Sequence, residues 1–249
     1  MKRINNFIVE FGRYLLLMKE AFKRPQNWVV FYRKVLFEIK ALGIDSIVIV
    51  LIISIFIGAA IVIQIILNMD SPMYPKWVYG YAGRKAIILE LAPTIISLIL
   101  AGKCASRIAS EIGTQRITEQ IDALEVMGVN TASYLILPKV MACVFFFPLL
   151  MIMSIFSAIV GGGIGGYMTG TLTIFNYVEG LRLDFTTSEI VYALVKATIN
   201  AVIISTLACY RGYTIKGGSV EVGQESTKAI VQSSIAIMIF NILVTSLFN

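Results

Sequence analysis

EIGTQRITEQIDALEVMGVNTASYLILP, residues Glu111–Pro138, sets a short polar helix between two long apolar stretches. In so greasy a chain an insertion of this kind is costly to keep without a use. One face carries Gln115, Arg116, Glu119, Gln120, Asp122 and Glu125, three carboxylates against one guanidinium. On the other, Ile117, Ile121, Leu124 and Met127 recur at helical spacing, and Gly128 is placed to stop the helix. The pattern predicts a surface helix over 114–128 that either docks on a soluble partner or lies solvated against lipid.

The flanks decide the class. Of 249 residues, 57% are apolar and 14% charged, which excludes an ordinary soluble domain. Apolar runs of about 20 residues match a ~30 Å hydrocarbon layer. Five occur: Ile44–Leu67, Ala86–Gly102 with Glu90 and Pro93, Tyr134–Met168, Ser188–Tyr210 with Lys196, and Ala229–Phe248. The third is too long for one ordinary crossing and too short for two, so a tilted or broken helix is expected. The fold class is therefore an all-α integral membrane protein with five transmembrane helices. The polar helix at 114–128 joins the second to the third.

No cleavable signal is expected, since the first apolar run begins at residue 44 behind acidic residues. Sixteen Lys or Arg fall in the stretches assigned inside and four in those assigned outside. That bias predicts a cytoplasmic N-terminus and a C-terminus on the outer face. It also accounts for the net charge of +6 without any nucleic acid.

Residues 1–43 form a separate amphipathic region. Ile4, Phe7, Phe11, Tyr14, Met18 and Phe22 keep helical spacing, and after Pro25 the pattern resumes at Trp28, Tyr32, Val35, Leu36, Ile39 and Leu42. Interleaved Arg and Lys favour a place in the interfacial plane, with a hairpin packed on protein as the alternative.

Chemistry is scarce. Histidine is absent, and Cys104, Cys143 and Cys209 stand singly, so no metal site, disulfide or catalytic group is expected. Gly161, Gly162, Gly163, Gly165 and Gly166 lack the lysine of a phosphate-binding loop and read as helix-packing positions. Without such a loop, ATP must be handled by another subunit, and no cofactor is expected here.

Two intramembrane charges, Glu90 and Lys196, are the sharper candidates. Glu90 and Lys196 sit at depths of about 6 and 12 Å, a gap that a lysine side chain can bridge. Unpaired, each would cost about 2.5–3.5 kcal/mol, so they should pair, meet a lipid phosphate or snorkel. Pro93 bends the second span or begins it.

The stretch EIGTQRITEQIDALEVMGVN with YLILPK resembles the signature of MlaE-type permeases, the membrane subunits of ABC transporters that work with MCE proteins. ELAP at Glu90–Pro93, FIGAAIVIQ at Phe56–Gln64 and GYTIKGGSVEVGQESTKAIVQSS at Gly212–Ser234 extend the resemblance over 44–248. Thr131 and Lys139 stand where the family usually has Pro and Arg.

The resemblance implies a permease domain over 44–249, working as a homodimer in the bacterial inner membrane. Two cytoplasmic ABC ATPase subunits would seat the helices at 114–128, through Arg116, Ile117, Glu119, Ile121, Asp122, Leu124, Glu125 and Met127. Lys216–Lys228 offers a second contact. A periplasmic MCE-domain protein would exchange phospholipid with the permease. Extracting a two-chain lipid exposes roughly 30 methylenes, a cost on the order of 25 kcal/mol without shelter. Ile57, Ile61, Gln64, Glu90, Leu91, Pro93 and Lys196 are the expected lipid-pathway residues. A channel or ion-coupled carrier using Glu90 and Lys196 is the alternative, and an intramembrane enzyme is disfavoured by the missing histidine.

Overall fold

The computed structural model describes residues 2–69 and 74–248, and among these residues every regular element is a helix. Five helical runs are long and apolar enough to cross a membrane: Trp28–Asn68, Trp77–Ile117, Thr131–Met168, Thr187–Tyr213 and Ser219–Leu247. The first two have 41 residues each, about 60 Å at ~1.5 Å per residue, so each must project well beyond a ~30 Å hydrocarbon layer.

This continuity redraws two expected boundaries. α1 (Lys2–Ala21) is separate, but α2 (Trp28–Glu38) runs through a π-helical turn at Ile39–Ile44 directly into α3 (Asp45–Asn68). The region 1–43 is thus one separate helix, α1, plus residues continuous with the helix of the first span. Likewise α4 (Trp77–Ala86), α5 (Ser97–Leu100) and α6 (Ser106–Ile117) are joined by π-helical stretches at Ile87–Ile96 and Ala101–Ala105. Pro93 lies inside the first of these and neither begins nor ends a helix. A wider turn tolerates a residue with no N–H to give.

α7 (Gln120–Val126) is short, and α8 (Thr131–Met168) is one unbroken 38-residue helix despite Pro138 and Pro148. Asn130 caps it by accepting from Ser133 N at 3.2 Å. After α9 (Ile174–Arg182) come α10 (Thr187–Tyr213) and α11 (Ser219–Phe248).

By internal packing the chain divides into two compact units, one of Met1–Ile44, Leu100–Phe145 and Ala201–Phe240, the other of Asp45–Ile99, Phe146–Asn200 and Asn241–Asn249. In the second, α3 and α8 touch backbone to backbone. A side chain at Gly161 would strike the Ile55 carbonyl, one at Gly58 the Ala158 carbonyl, and one at Gly165 would meet Ala59. Ser54 bonds Ser154 across the same seam at 2.9 Å. Nearby, Val62, Ile66, Tyr79, Leu172 and Tyr177 form a core, with the Tyr177 hydroxyl donating to Ile159 O at 2.8 Å.

In the first unit, α1 is fastened to α10. Tyr14 donates to Thr206 Oγ1 at 2.9 Å and meets Tyr210 edge to face, while Tyr210 donates to Glu10 O at 3.2 Å. Burial raises the Tyr14 pKa above the usual phenol value, so it remains a donor. Phe11, Leu15, Leu16 and Phe22 stay exposed, an apolar face suited to the membrane surface. The side chains of Ile4 and Phe7, expected on this face, lie outside the described residues.

Candidate functional site

Lys196, on α10, is wholly buried, and its three ammonium hydrogens have three acceptors. Nζ lies 3.1 Å from Glu90 Oε1, 3.0 Å from Thr245 Oγ1 and 3.1 Å from the Leu89 carbonyl. Pro93, which has no N–H to give, lies four residues on from Leu89 in the same π-helical stretch. Thr245 also donates to Glu90 Oε1, at 2.8 Å. The two intramembrane charges therefore pair across α10 and the π-helical stretch of the second span.

A second polar layer lies one turn along each helix. Asn200 Nδ2 reaches Ser97 Oγ at 2.9 Å, and Asn241 Nδ2 reaches Thr94 Oγ1 at 3.1 Å. Asn200 is four residues from Lys196 and Asn241 four from Thr245, so both layers share helix faces. That four-residue spacing was a readable signal.

Glu90 is only half enclosed, its side chain 44% exposed against 0% for Lys196. It opens on a cleft of about 450 Å³ lined by Lys85, Leu89, Ser188, Glu189, Tyr192 and Thr245. Glu189 meets a buried arginine that sequence reasoning left in a loop. Arg84 Nη1 donates to the carbonyls of Leu181 and Leu183 at 2.7 and 3.0 Å. Its Nη2 donates to that of Asp184 at 3.2 Å and faces Glu189 Oε1 at 3.6 Å. Asp184 adopts a left-handed backbone, φ 50°, to present that carbonyl.

The other expected lipid-pathway residues are not gathered here. Ile57, Ile61 and Gln64 lie on α3, where Gln64 donates to Asn68 at 3.2 Å, and none of them lines the cleft. Leu91 and Pro93 share the π-helical stretch with Glu90 but do not line the cleft either.

The stretch 114–128 is two pieces. α6 ends at Ile117, and Glu119 takes a left-handed φ of 58° before α7 begins. That break resets the stripe. Ile121 becomes fully buried, while Met127 and the unremarked Val126 are exposed at 68% and 89%. Gly128, φ +76°, ends α7 with two bonds, from its own N–H to Glu125 O and from Val129 N to Leu124 O. Arg116 pairs with Asp122 at 2.6 Å, and Glu125 accepts from Thr131 and Tyr213, both at 3.0 Å. Thr131 thus ties the end of α7 to α8 through its hydroxyl. The helix that remains is a rigid acidic step with an apolar tip.

Beneath it lies an ion cluster missed from sequence. Lys139 on α8 is 2.5 Å from Glu38 and 2.8 Å from Glu111, joining α2, α6 and α8. The partners are about a hundred and about thirty positions apart, beyond any periodicity. All three cysteines are buried thiols.

The profile of the family described as Permease MlaE matches residues 35–247. A probable ABC transporter permease of Rickettsia conorii is 30% identical over 251 residues, covering 99% of this chain and 95% of that protein. One from Rickettsia bellii is 40% identical over 163 residues, covering 64% of this chain and 61% of that protein's length. The chloroplastic protein Trigalactosyldiacylglycerol 1 of Arabidopsis thaliana is 29% identical over 219 residues, 88% of this chain and 62% of its own. With the profile covering most of the chain, and five helices long and apolar enough to cross a membrane, the protein belongs to the MlaE permease family.

Proposed function

We propose that this chain is the membrane-spanning, non-catalytic subunit of an ATP-driven transporter. It passes phospholipid or a similar hydrophobic molecule between the bacterial inner membrane and a periplasmic MCE-domain assembly. Two copies form the transport path, and each seats an ABC ATPase on its cytoplasmic side.

The observation that carries this is α7, a short helix held by a two-bond glycine stop and presenting Val126, Met127 and acidic side chains outward. An apolar tip ringed by charge on a rigid support is what a soluble partner can grip. Arg116, Ile117, Glu119, Asp122, Leu124 and Glu125 support or surround that tip, and Ile121 anchors it from below. The basic-residue distribution puts this end in the cytoplasm. Glu90 and Lys196 provide a neutralised polar floor for a lipid headgroup.

A channel or ion-coupled carrier finds less support, because every donor of Lys196 is already engaged by the protein. The galactolipid in the name of the Arabidopsis relative favours a lipid cargo. Affinity purification from native membranes in gentle detergent, followed by mass spectrometry, tests the reading. An ATPase and an MCE-domain protein in stoichiometric amount are expected. A lone oligomer with neither would overturn it.

A further inference from the structure

The cleft over Glu90 has a charge pattern that selects among lipids. Both bonds to the Glu90 carboxylate fall on Oε1, which leaves Oε2 for a ligand. Glu189 lines the same cleft with its side chain nine-tenths buried, and its Oε2 has no hydrogen-bond partner. A buried carboxylate oxygen without a donor is a costly thing to keep, and it marks where a donor belongs. Of the two buried cations nearby, Lys196 is saturated, and Arg84, whose Nη atoms bond backbone carbonyls, faces Glu189 Oε1 at 3.6 Å with its Nε left without a partner. At the cleft the remaining cation is Lys85, partly exposed, with Nζ 4.8 Å from the Tyr81 ring centre.

Two ion-paired carboxylates, each with one oxygen left without a donor, beside one partly exposed lysine describe the complement of a zwitterion. We propose that this cleft receives the headgroup of an amine-bearing phospholipid, its ammonium between Glu90 and Glu189 and its phosphate on Lys85. An ammonium supplies three charge-assisted donors, which carboxylate oxygens bind more strongly than a glycerol hydroxyl. Lys85 recognises phosphate as a point charge and is indifferent to what lies beyond it. The inference rests on the lipid-permease reading and adds a headgroup class to it.

The test equilibrates purified protein with mixed micelles of equimolar phosphatidylethanolamine and phosphatidylglycerol. The protein is then repurified, and retained lipid is counted by mass spectrometry. Phosphatidylethanolamine should be enriched several-fold. Glu189→Gln should bring the ratio to parity, while Lys85→Gln should lower retention of both lipids. Because Glu189→Gln removes a partner of Arg84, the ligand is changed as well. Phosphatidylethanolamine N-acetylated on its amine should lose its advantage on the unaltered protein. Parity with unaltered protein, or a preference for phosphatidylglycerol, would overturn the headgroup assignment and leave the permease reading standing. Retention no greater than that of an unrelated membrane protein would count against the permease reading itself.

Discussion

Two lysines are buried in the spans of this protein, and their surroundings differ. Lys139 is enclosed between two carboxylates, Glu38 and Glu111, with side-chain exposures of 3%, 9% and 36%. Lys196 has one carboxylate, one hydroxyl and one carbonyl, and its partner Glu90 looks out on a cleft. The first arrangement buries Lys139 and Glu38, leaves Glu111 partly exposed, and joins three helices, α2, α6 and α8. The second sits on a π-helical stretch that holds Pro93, and it has an accessible side. A buried lysine–glutamate pair is therefore a staple in one place and the floor of a site in the other. What separates them is access to the carboxylate, not the strength of the pair.

The largest expected consequence is at Lys139. Replacing it with Met strands Glu38 without compensation, a loss of about 3–5 kcal/mol. A large fall in thermal midpoint in detergent is expected, with Lys139→Arg restoring most of it. An unchanged midpoint would erase the contrast. At Lys196 the same replacement should cost less, about 1–3 kcal/mol, because Glu90 can take up water from the cleft. Lipid transfer should nevertheless be lost while folded protein is still recovered. Equal destabilisation at both lysines would make the second cluster a staple too.

Thr245→Val removes one hydroxyl shared by Lys196 and Glu90, which should cost about 0.5–1.5 kcal/mol by thermal denaturation. A larger drop would show that Thr245 organises the cluster and does not merely join it. At the exposed tip, Val126→Asp should alter stability by less than about 0.5 kcal/mol, yet release the ATPase during purification. Retained ATPase with normal stoichiometry would move the docking surface away from α7.

Much of the fold was legible because length and greasiness are local properties. Five apolar runs became five candidate spans, Gly128 stops its helix, and the glycines of Gly161–Gly166 pack a seam. The pairing of Glu90 with Lys196 was within reach of depth arithmetic. Helix boundaries were less legible, since π-helical turns at Ile39–Ile44 and Ile87–Ile96 leave no break in composition. Glu38, Lys139 and Glu111 meet only through tertiary packing, so no spacing announces them. Arg84 and Glu189 were hidden differently: one falls between two apolar runs, and the other at the very start of the fourth. Val126 was overlooked because the stripe was carried straight through Glu119, whose left-handed backbone shifts its phase.

One experiment reaches the docking claim without relying on loss of function. A photoreactive amino acid is placed at residue 126 in the protein expressed in its own host, irradiated in intact membranes, and the adduct is sequenced. A covalent link to an ATP-hydrolysing subunit is expected, and the same probe at residue 85 should leave that subunit unlabelled. Labelling of an MCE-domain protein or of lipid from position 126, with ATPase captured from position 85, would invert the orientation and contradict the assignment of α7.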